Sequence, residues 1–91
     1  MAVRVKLPTQ LRDAAANQSE TSVDGGTVGE ALEALYAEHG ELRTRLADDG
    51  GGLRRFVNVY LGGEDIRFLQ GLETPVADGD ELTILPAVAG G

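Results

Sequence analysis

Cysteine is absent from the sequence, which excludes disulfides, thiolate metal sites and cysteine nucleophiles. Histidine occurs once, so His39 is the only imidazole available for catalysis or metal binding. No apolar run approaches the length of a transmembrane helix, and the N-terminal residues lack the apolar segment of a secretory signal. We therefore expect a cytoplasmic protein.

Positive charge is also scarce. Lys6 and seven arginines oppose fifteen acidic residues, and the formal net charge is −7. Such a surface repels nucleic acids and anionic membranes and favours a partner with a basic docking face. The 91 residues correspond to one small domain with a modest core, too small to enclose a deep cavity.

Alternation of apolar and polar residues predicts the strands. Val3, Val5 and Leu7 alternate with basic residues, which is typical of a strand with one buried face, and Pro8 ends it. The segment 11–18 is predicted to be a connecting turn. Further strands are predicted at 20–23, 56–61 and 81–85, with a short strand between the Gly62-Gly63 turn and Phe68.

One helix is clearly indicated. Thr27 precedes Glu30 by three residues, which is the spacing of a capping box, and the apolar residues that follow have helical spacing. Gly40 is expected to end this helix in a left-handed cap, and a weaker helical turn is predicted over 42–47. One amphipathic helix then covers one face of a mixed sheet whose two terminal strands lie side by side at its centre. Periodicity alone supports a small α+β roll.

No conventional catalytic or metal site is apparent. His39 is expected to have a structural role near the end of the helix, where a polar residue is favoured. The glycine-rich segment 25–29 lacks the spacing of a phosphate-binding loop, so a turn and a helix cap explain it. Asp78, Asp80 and Glu81 are interpreted as solvated turn residues, because too few fixed oxygens accompany them for a cation site.

The C-terminal segment 86–91 is the remaining candidate. We divide the chain into a domain at 1–85 and a tail at 86–91, which spans about 20 Å when extended. A slim, uncharged tail can enter a narrow tunnel on another protein, whereas a frayed end is the alternative explanation. The tail consists of Pro86, Ala87, Val88, Ala89, Gly90 and Gly91.

A docking patch is expected near the root of this tail. In the strand 56–61, Phe56 and Tyr60 alternate with valines, so they face away from the helix. Together with Leu85 they would form a small apolar patch of the kind that anchors a partner.

Two segments carry a resemblance to a known family. They read DGDELTILPAVAGG at 78–91 and FVNVYLGGEDIR at 56–67. Both resemble the ubiquitin-like sulfur carriers, and the resemblance covers essentially the whole chain. Its most specific part is DGDELTILP, a short spacer and Gly-Gly as the last two residues. Within that family, 85–91 and 55–58 are most similar to the carrier of the O-phosphoserine route to cysteine.

The resemblance implies a β-grasp fold and a carrier rather than an enzyme. An E1-like enzyme would use ATP to adenylate the Gly91 carboxylate, and sulfur would then replace AMP to leave a thiocarboxylate. The sulfur-accepting partner in the cysteine route is a PLP-dependent synthase, and a zinc peptidase releases the product. ATP, PLP and zinc belong to those partners, and this chain is expected to bind no cofactor.

Three related functions remain open. The chain resembles the small subunit of molybdopterin synthase, which would pair with a large subunit. A carrier of this kind is also able to serve a thiosugar synthase or other secondary metabolism. A ubiquitin-like protein modifier is the third possibility, against which the single Lys6 argues mildly because it limits chain formation.

Overall fold

The computed structural model describes residues 2–50, 52–54 and 57–86, with the backbone alone at Pro86. The strands are β1 (Ala2–Lys6), β2 (Glu20–Asp24), β3 (Val57–Leu61), β4 (Glu64–Asp65) and β5 (Glu81–Pro86). The helices are α1 (Thr9–Arg12), α2 (Val28–Glu38) and α3 (Gly40–Leu46), with 3-10 turns at Asp13–Ala15, Ile66–Phe68 and Gly71–Glu73.

The described strands form one five-stranded mixed sheet in the order β2-β1-β5-β3-β4. The terminal strands β1 and β5 are parallel neighbours in the middle, and every other pair is antiparallel. This confirms the predicted central position of the two terminal strands. The mixed sheet with helices on one face is the predicted α+β, β-grasp architecture.

The core lies between the sheet and the helices. Inward residues of the central strands, such as Val3, Val5 and Ile84, are fully buried. Leu35 of α2 and Leu42 of α3 pack into the same cluster. Alternation in β3 is confirmed, because Val57 and Val59 are buried while Tyr60 is only half-buried. The opposite face of the sheet carries no described helix.

The capping prediction for α2 is confirmed in part. The Thr27 hydroxyl accepts a hydrogen bond from the Glu30 amide at 3.1 Å. The Glu30 carboxylate reaches one residue further back than expected and accepts from the Gly26 amide at 2.8 Å. At Gly25 a Cβ would lie 2.6 Å from the Ala31 amide nitrogen, so glycine is required by close packing. The glycine-rich segment is therefore a turn and a helix cap.

Several local predictions were wrong. Helix α2 ends at Glu38, and Gly40 begins α3 rather than closing α2 with a left-handed cap. The segment 11–18 is not a simple turn, because α1 and a 3-10 turn bury Leu11, Ala14 and Ala15 in the core.

Two further boundaries differ from the predictions. The short strand is Glu64–Asp65, and the chain passes into a 3-10 turn before it reaches Phe68. Strand β5 extends to Pro86, which the sequence had placed in the tail. Phe56 lies outside the described residues.

Candidate functional site

The root of the tail is fixed by the centre of the sheet. Strand β5 pairs with β3 so that Asn58 lies opposite Leu85 and Val57 lies opposite Pro86. Ile84 is fully buried, whereas the next side chain, Leu85, is 44% exposed on the open face of the sheet. Pro86, the last described residue, therefore ends the middle strand of the sheet. Residues 87–91, including Gly91, lie outside the described residues.

The open face has an ionic half over β1 and β2. Arg4 lies 3.9 Å from Glu20 and 3.8 Å from Glu81, and the Lys6 ammonium lies 3.8 Å from the same Glu81 carboxylate. These pairs are exposed, so each contributes little to stability. They largely neutralise the charge of that half.

The half of the open face next to the tail has few charges. Tyr60 lies opposite Thr83, and Asn58 lies opposite Leu85, so all four share the face away from the helices. Tyr60 is half-buried, which leaves part of its ring accessible. The predicted position of Tyr60 and Leu85 on one face near the tail root is thus confirmed, and their role in docking stays a prediction.

Asp65 and Arg67 stabilise the edge of this face. The Asp65 carboxylate accepts from the Arg67 amide at 2.9 Å and from the Arg67 guanidinium at 2.8 Å. The Arg67 side chain also donates to the Asn58 carboxamide on β3. Hydrogen bonds from Arg67 hold the pKa of the Asp65 carboxyl below its ordinary value. The pair therefore ties the 3-10 turn Ile66–Phe68 to the strand opposite the tail root.

The lowered pKa of Asp65 predicts a pH-dependent contribution to folding. The charged carboxylate stabilises the fold above the unfolded pKa, about 3.9, and this contribution is lost as pH falls through the folded pKa. Asp65→Asn is expected to be less stable than the native chain at neutral pH, and the difference should shrink toward zero in acid. Urea unfolding from pH 7 to pH 2 measures it. A difference that does not change with pH would contradict the assignment.

The other candidate residues have structural roles. Asp78 accepts from the Ala2 amide at 2.9 Å, and Asp80 accepts from the Ala77 amide at 2.8 Å, so both close the turn before β5. Glu81 belongs to the ionic half described above. His39 joins α2 to α3, and its Nε2 is buried without a hydrogen-bond partner. Within the described ranges, no group of three or more acidic or histidine side chains is placed to hold a metal ion.

The sequence did not single out Asp65, Arg67 or Phe68 as neighbours of the tail root. The spacing Asp65-x-Arg67 after a two-glycine turn was a usable signal, because an aspartate before a short turn commonly caps it. In the described part of the chain, no helix has the length and apolar character needed to span a membrane.

Comparison with known proteins places this geometry in a family. The model of the ThiS family matches residues 5–91. The sulfur carrier protein CysO of Mycobacterium tuberculosis is 47% identical over 93 residues, covering 100% of both chains. In the crystal structure of the Amycolatopsis orientalis BexX/CysO complex, a chain 45% identical superposes with a TM-score of 0.90 and 98% and 99% coverage of the two chains.

A second group of relatives is named small archaeal modifier proteins (SAMP). The crystal structure of SAMP1 from Haloferax volcanii is 35% identical, with a TM-score of 0.87 and 100% coverage of both chains. The family match runs from the end of β1 through β5 and the 3-10 turn Ile66–Phe68 to Gly91. The chain therefore belongs to the ThiS family and shares the ubiquitin-like β-grasp fold of its sulfur carrier relatives.

Proposed function

We propose that this chain carries sulfur as a thiocarboxylate on the main-chain carboxyl group of Gly91. The observation that carries the proposal is that similarity to sulfur carrier proteins extends over the full length, through the terminal Gly-Gly. The folded domain supports this role, because strand β5 presents the tail from the centre of the sheet. The residues of the tail after β5, Ala87 to Gly91, would be recognised by their small size.

The chemistry requires a partner enzyme. A carboxylate is a poor acyl electrophile, so its oxygen must first attack the α-phosphate of ATP, which releases pyrophosphate and leaves an acyl-adenylate. A sulfide nucleophile then adds to the acyl carbon, and AMP leaves with the C–O bonding pair. The chain has no cysteine, so no internal thiol competes for the activated carbonyl. Its own part is to present the carboxyl group, and the catalysis belongs to an E1-like enzyme.

The proposed docking surface for that enzyme is the half of the open face next to the tail, which includes Tyr60 and Leu85. Because it has few charges, it is called the neutral half. Leu85 is exposed, Tyr60 is half-buried, and both side chains lie on the open face close to the tail root. Phe56 was predicted to belong to the same patch. The exclusion of water from such a patch supplies affinity that a tail of alanines and glycines lacks.

Cysteine biosynthesis is the proposed destination of the sulfur. It is supported by 47% identity to proteins named as CysO sulfur carriers. In that route the thiocarboxylate sulfur attacks an aminoacrylate held by a PLP enzyme, the acyl group shifts from sulfur to nitrogen, and a zinc peptidase frees cysteine. A relative has been solved as a BexX/CysO complex, which supports docking of such a carrier to a second protein. Transfer to a thiosugar synthase or to the large subunit of molybdopterin synthase is the alternative.

Protein modification is a second candidate function, favoured by relatives named small archaeal modifier proteins. It begins with the same adenylation of Gly91 but ends in an amide bond to a lysine of another protein. The two functions separate after activation, since only a sulfur carrier accumulates the thiocarboxylate.

Pyrophosphate exchange tests the adenylation step of the proposal. With an E1-like enzyme of this family and ATP, labelled pyrophosphate should enter ATP only when the native chain is present. The enzyme alone and the enzyme with a chain lacking 87–91 are the matched controls, because this truncation leaves β5 complete. Exchange that does not depend on the chain would contradict the proposed function.

A further inference from the structure

The aromatic side chain of Phe68 is largely exposed to solvent. It is 85% exposed, and the neighbouring Leu69 is 39% exposed. In contrast, Tyr36 is buried and Tyr60 is half-buried. Single exposed apolar side chains are common on small domains, whereas contiguous ones, such as Phe68 with Leu69, are a candidate contact surface.

The exposed ring is held on a well-defined turn. Ile66, at the start of the same 3-10 turn, is 2% exposed and anchors it in the core. Asp65 caps the turn by accepting from the Arg67 amide, and the Leu69 amide donates to the Ile66 carbonyl at 3.0 Å. Binding of a partner to Phe68 therefore costs little conformational entropy in the backbone of this turn, which favours affinity.

The turn is separated from the tail root by one strand, because β3 lies between β4 and β5. The guanidinium of Arg67 reaches the Asn58 carboxamide, and Asn58 lies directly opposite Leu85. Side chains directly opposite on paired strands have Cβ atoms about 5 Å apart. Arg67, the residue before Phe68, thus contacts Asn58, which lies opposite Leu85 near the end of β5. An enzyme that surrounds the tail root would also meet this turn.

The composition of the tail leaves most of the binding affinity to the folded domain. Residues 87–91 are two alanines, one valine and two glycines, which offer little apolar area. Among the described residues, the large apolar side chains that are exposed are Phe68, Leu69 and Leu85. These side chains are therefore the exposed apolar groups that the described part of the domain offers to a partner.

We propose that Phe68, with Leu69, is a second anchor for the adenylating enzyme, separate from the Tyr60 and Leu85 patch. The inference rests on the proposed function and names the surface of its first partner. The matching surface is an apolar pocket with a basic rim. Glu64 and Glu73 are exposed on either side of the turn, whereas the charge of Asp65 is paired with Arg67. A net charge of −7 adds to the attraction.

Steady-state kinetics of pyrophosphate exchange with the adenylating enzyme tests the anchor. Phe68→Ser should raise the KM for the chain roughly tenfold or more and leave kcat unchanged, because the ring contributes to binding and not to the chemistry. Phe68→Leu should restore most of the affinity. Gln18→Ser, an exposed neutral change in the loop before β2, is the matched control and should have the native KM.

Thermal melts of all four proteins separate binding from folding. Each variant should melt near the native temperature because the changed side chains are exposed. A native KM for Phe68→Ser would overturn the inference, as would loss of affinity only toward the sulfur-accepting enzyme. In both cases the native chain still supports exchange, so the proposed function survives. Absence of exchange with the native chain would instead overturn the proposed function itself.

Discussion

Deleting Gly91, or adding one alanine after it, is expected to reduce adenylation by at least about a hundredfold. Either change moves the terminal carboxyl carbon by about 3.5 Å along the tail. Positioning errors of about 1 Å already cost roughly a hundredfold in rate. The added alanine also brings a β-carbon into a channel that is expected to fit glycine. Pyrophosphate exchange with the activating enzyme measures the effect.

The melting temperature is the control for this pair of variants. Every described residue of the core cluster lies between Val3 and Ile84, so neither change removes a described packing contact. Both altered chains should unfold within a degree or two of the native chain. Exchange at the native rate by either variant would show that the position of the terminal carboxyl group is not what the enzyme reads.

Adjacent residues of β5 are expected to have opposite effects when truncated. Ile84 is fully buried at the centre of the sheet, and Ile84→Ala should lower the free energy of unfolding by about 2–5 kcal/mol. For a domain of this size that corresponds to a fall in melting temperature of roughly 10 °C or more. Leu85 is 44% exposed, and Leu85→Ala should change stability by no more than about 1 kcal/mol.

Binding should show the reverse order. At a temperature where both variants are folded, Leu85→Ala should weaken binding to the activating enzyme by roughly tenfold, and Ile84→Ala should leave it near native. Tyr60→Glu, on the same face, should weaken binding similarly by placing an acid against the partner. Isothermal titration calorimetry measures both. Native affinity for Leu85→Ala and Tyr60→Glu would rule out the neutral half of the open face as the docking surface.

Much of the fold was predictable because its strongest signals are local. The alternation around Val3 and Val5 and the capping pair at Thr27 and Glu30 each specify an element through neighbouring residues. The central placement of β1 and β5 was also predicted correctly, although the need to cover one sheet face with one main helix does not by itself determine the strand order.

The errors arose where tertiary packing decides the local structure. In the sequence Gly40 resembled a glycine that ends a helix, yet its φ is not left-handed. It begins α3 instead, because Leu42 and Leu46 of that helix are buried in the core. The segment 11–18 lacks a helical pattern of its own, and it becomes ordered because Leu11 and Ala15 are buried against the main core. Such long-range burial is not visible in a window of sequence.

The candidate site was likewise predictable only where the signals are local. The alternation in β3 correctly placed Tyr60 opposite the buried face, and the pairing with β5 put Leu85 on the same side. The Gly62-Gly63 turn predicted a short strand toward Phe68, although the chain leaves the sheet after Asp65 and the Phe68 ring is exposed to solvent. The contact from Arg67 to Asn58 joins residues nine positions apart, and it depends on the geometry of that turn.

Intact mass spectrometry of the chain after activation tests the central claim most directly. The native chain is incubated with the activating enzyme, ATP and sulfide, beside a sample without ATP and a sample of the chain lacking Gly91. The account predicts that the native chain gains the mass of one oxygen-to-sulfur replacement, that fragmentation locates it at Gly91, and that both controls keep their original mass. An unchanged native mass, in a reaction where the same enzyme converts a known family member, would contradict the account.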